Sequence, residues 1–267
     1  MKHLAITCLF LVGCSSGWAL TVGEAFEAGN QAYARGENTL SEARGQDAAM
    51  KATLQEAAQE EFGRALAHYK ACLEQAESSS LHFNLGNTYF NLGQLGRSIY
   101  HFRRAQELDP ASEEARANLI FVRSVAGLEA PTDSLYGKTL ARRSPGFWAW
   151  LSAVGFWAGA ALLVFPRMYG SRGPGLPIFG VVVLLFSLVP AWALLQAGNA
   201  KSLAIVLDND TPLLVSPAGD SAATTYLQGG EAVELNLSRE HTAHVFVTTT
   251  RGEEGWVARA ELGRVRE

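Results

Sequence analysis

Residues 79–110 read SSLHFNLGNTYFNLGQLGRSIYHFRRAQELDP, and this stretch decides the architecture of the N-terminal half of the chain. Its apolar side chains recur at helical spacing in two runs, with Leu85 and Tyr89 in the first run and Phe102 in the second. Gly86 is small at a point where two helices must approach closely. The pattern therefore predicts two helices packed against each other.

An earlier copy of the same pattern lies upstream. The segment GNQAYARG at residues 29–36 is echoed 57 residues later by GNTYFNLG at residues 86–93, whereas the second helices repeat at an offset of 33. The difference of 24 residues is an insertion within about residues 37–60, which lengthens both helices or adds one. This is the pattern of the tetratricopeptide repeat (TPR), a 34-residue helix pair. We predict an all-α TPR unit over residues 20–126 that ends in a capping helix.

TPR units commonly bind peptides along the face of their first helices. On this template, the predicted partner-binding residues are Phe26, Asn30, Tyr33, Phe83, Asn87, Phe90 and Asn91. An asparagine offers both a donor and an acceptor, so it can grip the backbone of an extended peptide. The alternative is that the aromatic side chains belong to the core and the asparagines only cover the helix surface.

Two uncharged apolar stretches follow a linker over residues 127–146, and they cover residues 147–165 and 176–195. At about 1.5 Å per residue, each is long enough to cross a hydrocarbon layer of about 30 Å. The loop between them, residues 166–175, is short. The pattern predicts a transmembrane hairpin that leaves both flanking parts of the chain on the same side.

Residues 1–19 are typical of a signal peptide, since Lys2 precedes an apolar run that is too short to span a membrane. Cys14 follows Leu-Val-Gly, which has the form of a bacterial lipobox and makes this cysteine a lipidation candidate. Ordinary cleavage before Leu20 is the alternative. Either route exports the segment that follows, so we expect both soluble parts outside the cytoplasm. Arg167 and Arg172 agree with a cytoplasmic hairpin loop, but three basic residues on the other side, at positions 138, 142 and 143, make the charge rule lean slightly against this orientation.

Short β-rich runs separated by turn signals fill residues 202–267 and predict five strands in a small barrel. The layout resembles that of bacterial SH3-like domains, which commonly carry a Gly-Trp-Val triplet, here residues 255–257. The Asp-Trp pair usual in that family is missing, and His241 and His244 occupy its place. Their spacing favours solvated turn residues over metal ligands, because side chains three apart on a strand point to opposite faces.

The composition argues against several classes of function. A formal net charge of −4 does not favour nucleic acid as a partner, and 48% hydrophobic content excludes a disordered chain. No catalytic triad, phosphate loop or zinc motif occurs in the soluble parts, and Cys72 occupies a small-residue core position of the repeat. We therefore predict no enzyme, no cofactor and no metal site.

The order of these parts is more specific than any single motif. A leader, the TPR stretch quoted above, a hairpin opened by SPGFW at residues 144–148 and an SH3-like end together resemble BatE, the TPR member of the bacterial Bat aerotolerance proteins. The resemblance implies an inner-membrane protein beside von Willebrand A-domain membrane proteins and a MoxR-type ATPase, in stress or oxygen tolerance. The 24-residue insertion departs from that family.

We therefore expect a multi-domain protein with an all-α TPR helical repeat unit, a two-helix transmembrane hairpin and a small all-β SH3-like barrel. Its expected function is that of a membrane-anchored scaffold whose TPR groove holds a protein partner on the periplasmic side. The alternative is a module that binds peptidoglycan in the cell wall through the SH3-like domain.

Overall fold

The computed structural model describes residues 21–129, 145–168, 173, 175–198, 203–218, 221–241 and 243–265. The predicted leader with Cys14 lies outside these residues, as does most of the predicted linker.

Five helices form the N-terminal unit: α1 (Val22–Glu42), α2 (Ala48–Leu73), α3 (Ser79–Asn91), α4 (Leu95–Leu108) and α5 (Glu113–Val125). Polar side chains begin most of them. Thr21 and Glu24 form a capping box at α1, and the side chains of Asp47, Ser78 and Ser112 accept a backbone N–H at α2, α3 and α5. Gly93 has φ 74°, a left-handed conformation that turns the chain between α3 and α4.

Contacts between a glycine and an aromatic ring hold each helix pair together. A Cβ on Gly86 would lie 2.8 Å from the ring of Phe102, and one on Gly29 would lie 2.6 Å from the ring of Tyr69. Real side chains do not approach so closely, so each ring lies in a space that only glycine leaves open. The same packing therefore recurs in both copies, as expected from a structural repeat.

The extra residues of the first copy lengthen both of its helices. α1 has 21 residues and α2 has 26, against 13 and 14 in α3 and α4. The added turns use the same contact once more, because a Cβ on Gly36 would lie 2.8 Å from the fully buried ring of Phe62. The segment from 37 to 60 is thus largely helical and forms no additional helix of its own.

Helices α6 (Pro145–Met168) and α7 (Gly175–Gly198) pack against each other as an antiparallel pair. Small residues lie at their contact, where Gly159 meets Gly180 and Gly155 meets Ser187. Both helices are long and apolar enough to cross a membrane, and most of their apolar side chains lie on the surface. The structure thus agrees with the predicted hairpin in having two long apolar helices that pack against each other.

The C-terminal module is one antiparallel sheet of seven strands in the order β3-β2-β6-β5-β4-β1-β7. The strands are β1 (Leu203–Val206), β2 (Thr211–Leu214), β3 (Ala223–Leu227), β4 (Ala232–Glu240), β5 (His244–Thr249), β6 (Glu254–Ala258) and β7 (Leu262–Arg264). The prediction of five strands was incomplete. It missed β3, in which two consecutive threonines interrupt the apolar pattern, and β7, which has only three residues.

Helix α4 and the sheet share one hydrophobic core. Ile99 and Phe102 of α4 lie in the same buried cluster as Ile205 of β1 and Val265, which follows β7. Gly96 permits this contact, since a Cβ there would collide with the backbone oxygen of Leu207.

Polar contacts close the rim of the same interface. Arg97 forms a bidentate ion pair with Asp208, in which Nε donates to Oδ1 at 3.0 Å and Nη2 donates to Oδ2 at 2.7 Å. Gln228 donates to the backbone oxygen of Ala126 at 2.6 Å. The five-helix unit and the sheet therefore form one packed body, although the helices α6 and α7 separate them in the sequence.

Candidate partner-binding site

Helices α1, α3 and α5 lie side by side and present one common face, here called the asparagine face. The structure brings all seven predicted partner-binding residues to α1 and α3, and each is half-buried: Phe26, Asn30, Tyr33, Phe83, Asn87, Phe90 and Asn91. Half-buried side chains both support the fold and present atoms to solvent, so the contacts of each decide its role.

Asparagine pairs join neighbouring helices across this face. Asn84 of α3 donates its Nδ2 to Oδ1 of Asn30 at 2.9 Å, and Asn118 of α5 donates its Nδ2 to Oδ1 of Asn87 at 3.0 Å. The hydroxyl of Tyr69 also donates to Asn30 Oδ1, at 2.8 Å. The two oxygens therefore hold helices together, whereas the Nδ2 groups of Asn30 and Asn87 donate to no residue that the structure describes.

The sequence prediction missed the donors of both pairs. Asn118 follows Asn84 by 34 residues, the length of one repeat, so the period itself was the signal that identifies them. The carboxamide oxygens that were expected to grip a peptide are thus already occupied. The Nδ2 groups are the atoms left to bind a partner.

A second polar chain ties the far end of this face to the long α2. Asn91 donates its Nδ2 to the hydroxyl of Tyr33 at 3.0 Å, and that hydroxyl donates to the carboxylate of Glu37 at 3.1 Å. Gln59 of α2 donates to the backbone oxygen of Asn91 at 2.9 Å. Burial raises the pKa of Tyr33, and the neighbouring Glu37 carboxylate raises it further, so the hydroxyl keeps its proton at neutral pH.

The aromatic side chains divide into two groups. Phe83 packs edge-to-face on Phe102 with ring centres 5.7 Å apart, and Phe26 packs on Tyr69 at 5.8 Å, so both cover the core. Phe90 instead contacts Phe121 of α5 at 5.5 Å.

Helix α5 continues the predicted rows with two exposed apolar residues. Phe121 is 54% exposed and Val125 is 50% exposed, and they follow Asn87 and Asn91 by 34 residues. These positions were not among the predicted site residues, because the capping helix was assigned only a covering role. They give the asparagine face an apolar edge that no described part of the chain covers.

A buried ionisable cluster lies elsewhere, between α3, α4 and the sheet. The Nδ1 atoms of His82 and His101 are 2.8 Å apart, and His82 Nε2 lies 2.8 Å from Glu77. Arg104 pairs with the same carboxylate at 2.7 Å and donates to the backbone oxygen of Val265 at 2.6 Å. The cluster therefore connects the TPR interior to the end of the sheet.

Desolvation lowers the pKa of both imidazoles, most strongly for His101, where the neighbouring His82 acts in the same direction. Two neutral rings also fit the geometry, since His82 Nε2–H can donate a hydrogen bond to Glu77 while His82 Nδ1 accepts one from His101 Nδ1–H. Arg104 lowers the pKa of Glu77, which stays ionised. We assign this cluster a structural role.

The remaining candidates for chemistry are limited. Among the described residues, no three His, Cys, Asp or Glu side chains are grouped so as to hold a metal ion. Burial raises the pKa of the Cys72 thiol, which donates to the backbone oxygen of Val22 at 3.5 Å. His241 and His244 flank the β4–β5 turn, where His241 N–H donates to the His244 carbonyl at 2.9 Å.

Comparison with known proteins identifies one part of this architecture. Residues 79–112, which contain α3 and α4, match the tetratricopeptide repeat family model. No curated protein and no solved structure matches the chain. Tetratricopeptide repeats are typically non-catalytic modules that bind other proteins, so the match indicates a protein-protein interaction role.

Proposed function

We propose that this chain is a membrane-anchored scaffold that holds a partner protein on its asparagine face. The observation that carries the proposal is the combination, on one face, of amide donors at Asn30 and Asn87 with the exposed apolar edge of Phe121 and Val125. Amide donors recognise a peptide backbone, and exposed apolar side chains gain by burial in a complex.

The charge of this face defines the chemistry of the partner. Helix α3, at its centre, carries no Asp, Glu, Lys or Arg. Glu27 and Glu37 border it on α1. An extended segment with apolar side chains and few acidic residues fits such a face, because an acidic segment would meet repulsion from α1 and gain no ion pair from α3.

Membrane anchoring by α6 and α7 is the second element of the proposal. The TPR unit and the sheet share a buried core although the two apolar helices lie between them in the sequence. Two parts that pack together must lie on the same side of a membrane, which an even number of spans allows and an odd number forbids. The packing thus supports a hairpin independently of the charged flanks.

The resemblance to the Bat aerotolerance proteins extends the proposal to a cellular context. In that context the protein lies in the bacterial inner membrane, its soluble body faces the periplasm, and the sheet is an SH3-like barrel. The partners are then Bat-type membrane proteins with von Willebrand A domains and a MoxR-type ATPase. Peptidoglycan binding through the sheet is the competing function.

Affinity capture from membranes tests the asparagine face directly. The full chain carrying Phe121→Asp should capture at least about tenfold less partner than the wild type does. The reason is that a charge would replace an apolar contact at the edge of the face. The matched control is Tyr226→Asp, which changes an aromatic residue of β3 that is 66% exposed. Quantitative mass spectrometry of the captured proteins gives the measurement.

Equal capture by wild type and Phe121→Asp would remove the asparagine face from the binding site. If Tyr226→Asp is the variant that loses the partner, the sheet carries the interaction instead. Binding of the full chain to purified cell-wall sacculi, unaffected by Phe121→Asp, would favour the competing function.

A further inference from the structure

The sheet contains a pocket that the proposed scaffold role does not use. It encloses about 250 Å³ and is lined by Leu235, Val245, Leu262, Arg259 and Arg264. The three aliphatic side chains belong to the buried core of the module. The pocket therefore has an apolar floor and a cationic rim.

The two arginines of the rim share one carboxylate. Arg259 contacts Oε1 of Glu240 at 2.6 Å, and Arg264 contacts the same oxygen. Elsewhere on the described part of the body, Arg97, Arg104 and Arg251 each have an acidic partner of their own. The rim thus carries one positive charge in excess, together with guanidinium N–H groups beyond those that bind Glu240.

The rim also lies close to the proposed membrane anchor. Arg264 is the register partner of Ala204 in the β1–β7 pair, and β1 begins at Leu203. Helix α7 ends at Gly198, so five residue steps separate the helix from the strand. Those steps span at most about 18 Å, which keeps this end of the sheet within reach of the headgroup layer.

We propose that the Arg259–Arg264 pocket binds the phosphodiester headgroup of an anionic phospholipid. A phosphodiester oxygen accepts from both guanidinium groups, which provide planar arrays of donors suited to phosphate. The glycerol and the start of the acyl chains lie along the aliphatic floor. Such a contact fixes the body at the membrane surface. The inference rests on the proposed membrane anchoring.

Lipid retention by the full chain, purified in detergent, tests the proposal. Native mass spectrometry counts bound dihexanoylphosphatidylglycerol during titration. We expect the Arg259→Gln, Arg264→Gln variant to bind it roughly tenfold more weakly than the wild type, because two charge-assisted hydrogen bonds are lost. The Glu240→Gln variant should bind it more tightly, since the competing carboxylate is gone.

The matched control is Arg251→Gln, which removes an exposed arginine from the same module and should leave retention unchanged. Dihexanoylphosphatidylcholine, which has no net charge, should bind more weakly than the anionic lipid. Two opposite effects from Arg259/Arg264 and Glu240 cannot both arise from unfolding, and thermal melting of each variant confirms that it is folded.

Equal lipid retention by the wild type, the double variant and Glu240→Gln would overturn the proposal. Displacement of the lipid by an equal concentration of inorganic phosphate would overturn the lipid assignment and make the pocket a site for free phosphate. Alkaline carbonate extraction of wild-type membranes tests the anchor separately. Extraction of the wild type with the soluble fraction would refute the membrane anchor, whereas loss of the arginine dependence alone refutes only the pocket.

Discussion

The helical unit has two faces that are built from different helices, and the rest of the described chain covers only one of them. The docked face, formed by Gly96, Ile99 and Tyr100 of α4, lies under the sheet. The asparagine face across α1, α3 and α5 has no described part of the chain over it. The difference shows how a repeat unit can bury one face within its own chain and leave another face exposed for a partner.

The chemistry of the two faces explains why one is closed. Ile99 is fully buried under the sheet, and its apolar area would be costly to expose. On the asparagine face, Asn84 donates to Asn30 and Asn118 donates to Asn87, which leaves the Nδ2 groups of Asn30 and Asn87 to solvent or to a partner. Polar groups that are paired and hydrated need no cover.

Replacing one large apolar side chain by alanine on each face should give the largest difference in the free energy of unfolding. Ile99→Ala should lower the free energy of unfolding by about 2–5 kcal/mol, because it opens a cavity in the shared core. Phe121→Ala on the open face should lower it by only about 0.5–1.5 kcal/mol, because the ring is 54% exposed and loses its contact with Phe90. Urea unfolding of the full chain in detergent, followed by near-UV circular dichroism, measures both. Similar losses for the two variants would show that the open face is covered as well.

Two glycine substitutions, one at the interface and one control, test the contact between α4 and the sheet. Gly96→Ala should destabilise the body by about 1–3 kcal/mol, because the new Cβ collides with the backbone of Leu207 and Gly229. Gly63→Ala in α2 has open space around the new atom and should stabilise by about 0.4–1 kcal/mol. Thermal melting of both variants tests the pair. A stabilised Gly96→Ala protein would mean that α4 and the sheet do not touch in solution.

The pH dependence of stability should arise in the buried cluster of His82, His101, Glu77 and Arg104. Burial lowers the folded-state pKa of His82 and His101 below the usual value of about 6.5. As the pH falls through that value, the unfolded chain takes up protons first, so stability decreases toward acidic pH. The slope is at most about 1.4 kcal/mol per pH unit for each imidazole. Glu77 adds its loss only at lower pH, since its pKa is lowered from 4.5.

Replacing His101 tests this assignment. His101→Gln should flatten the dependence between pH 7.5 and 5, measured as the urea midpoint at each pH. The control is His68→Gln, which replaces a partly exposed histidine of α2 that lies outside the buried cluster. An unchanged slope in His101→Gln would place the acid sensitivity outside this buried cluster.

The sequence predicted the features that have a local pattern. The 34-residue period located α3 and α4, and two long apolar runs located α6 and α7. Strand β3 was missed because two consecutive threonines interrupt its apolar pattern, and because it lies at the edge of the sheet, where it pairs only with β2. The sequence analysis missed the donors Asn84 and Asn118, because each pairing depends on which helices become neighbours.

By itself, the sequence determined the helix pairs, since caps, glycines and aromatic residues such as Gly86 and Phe102 act within one repeat. It also determined two helices apolar enough for a membrane and a β-rich end. Only the tertiary structure decided that the end packs on α4, through contacts such as Gly96 with the backbone of Leu207. That contact joins residues more than one hundred positions apart, and no periodicity in a sequence specifies which buried surface meets which.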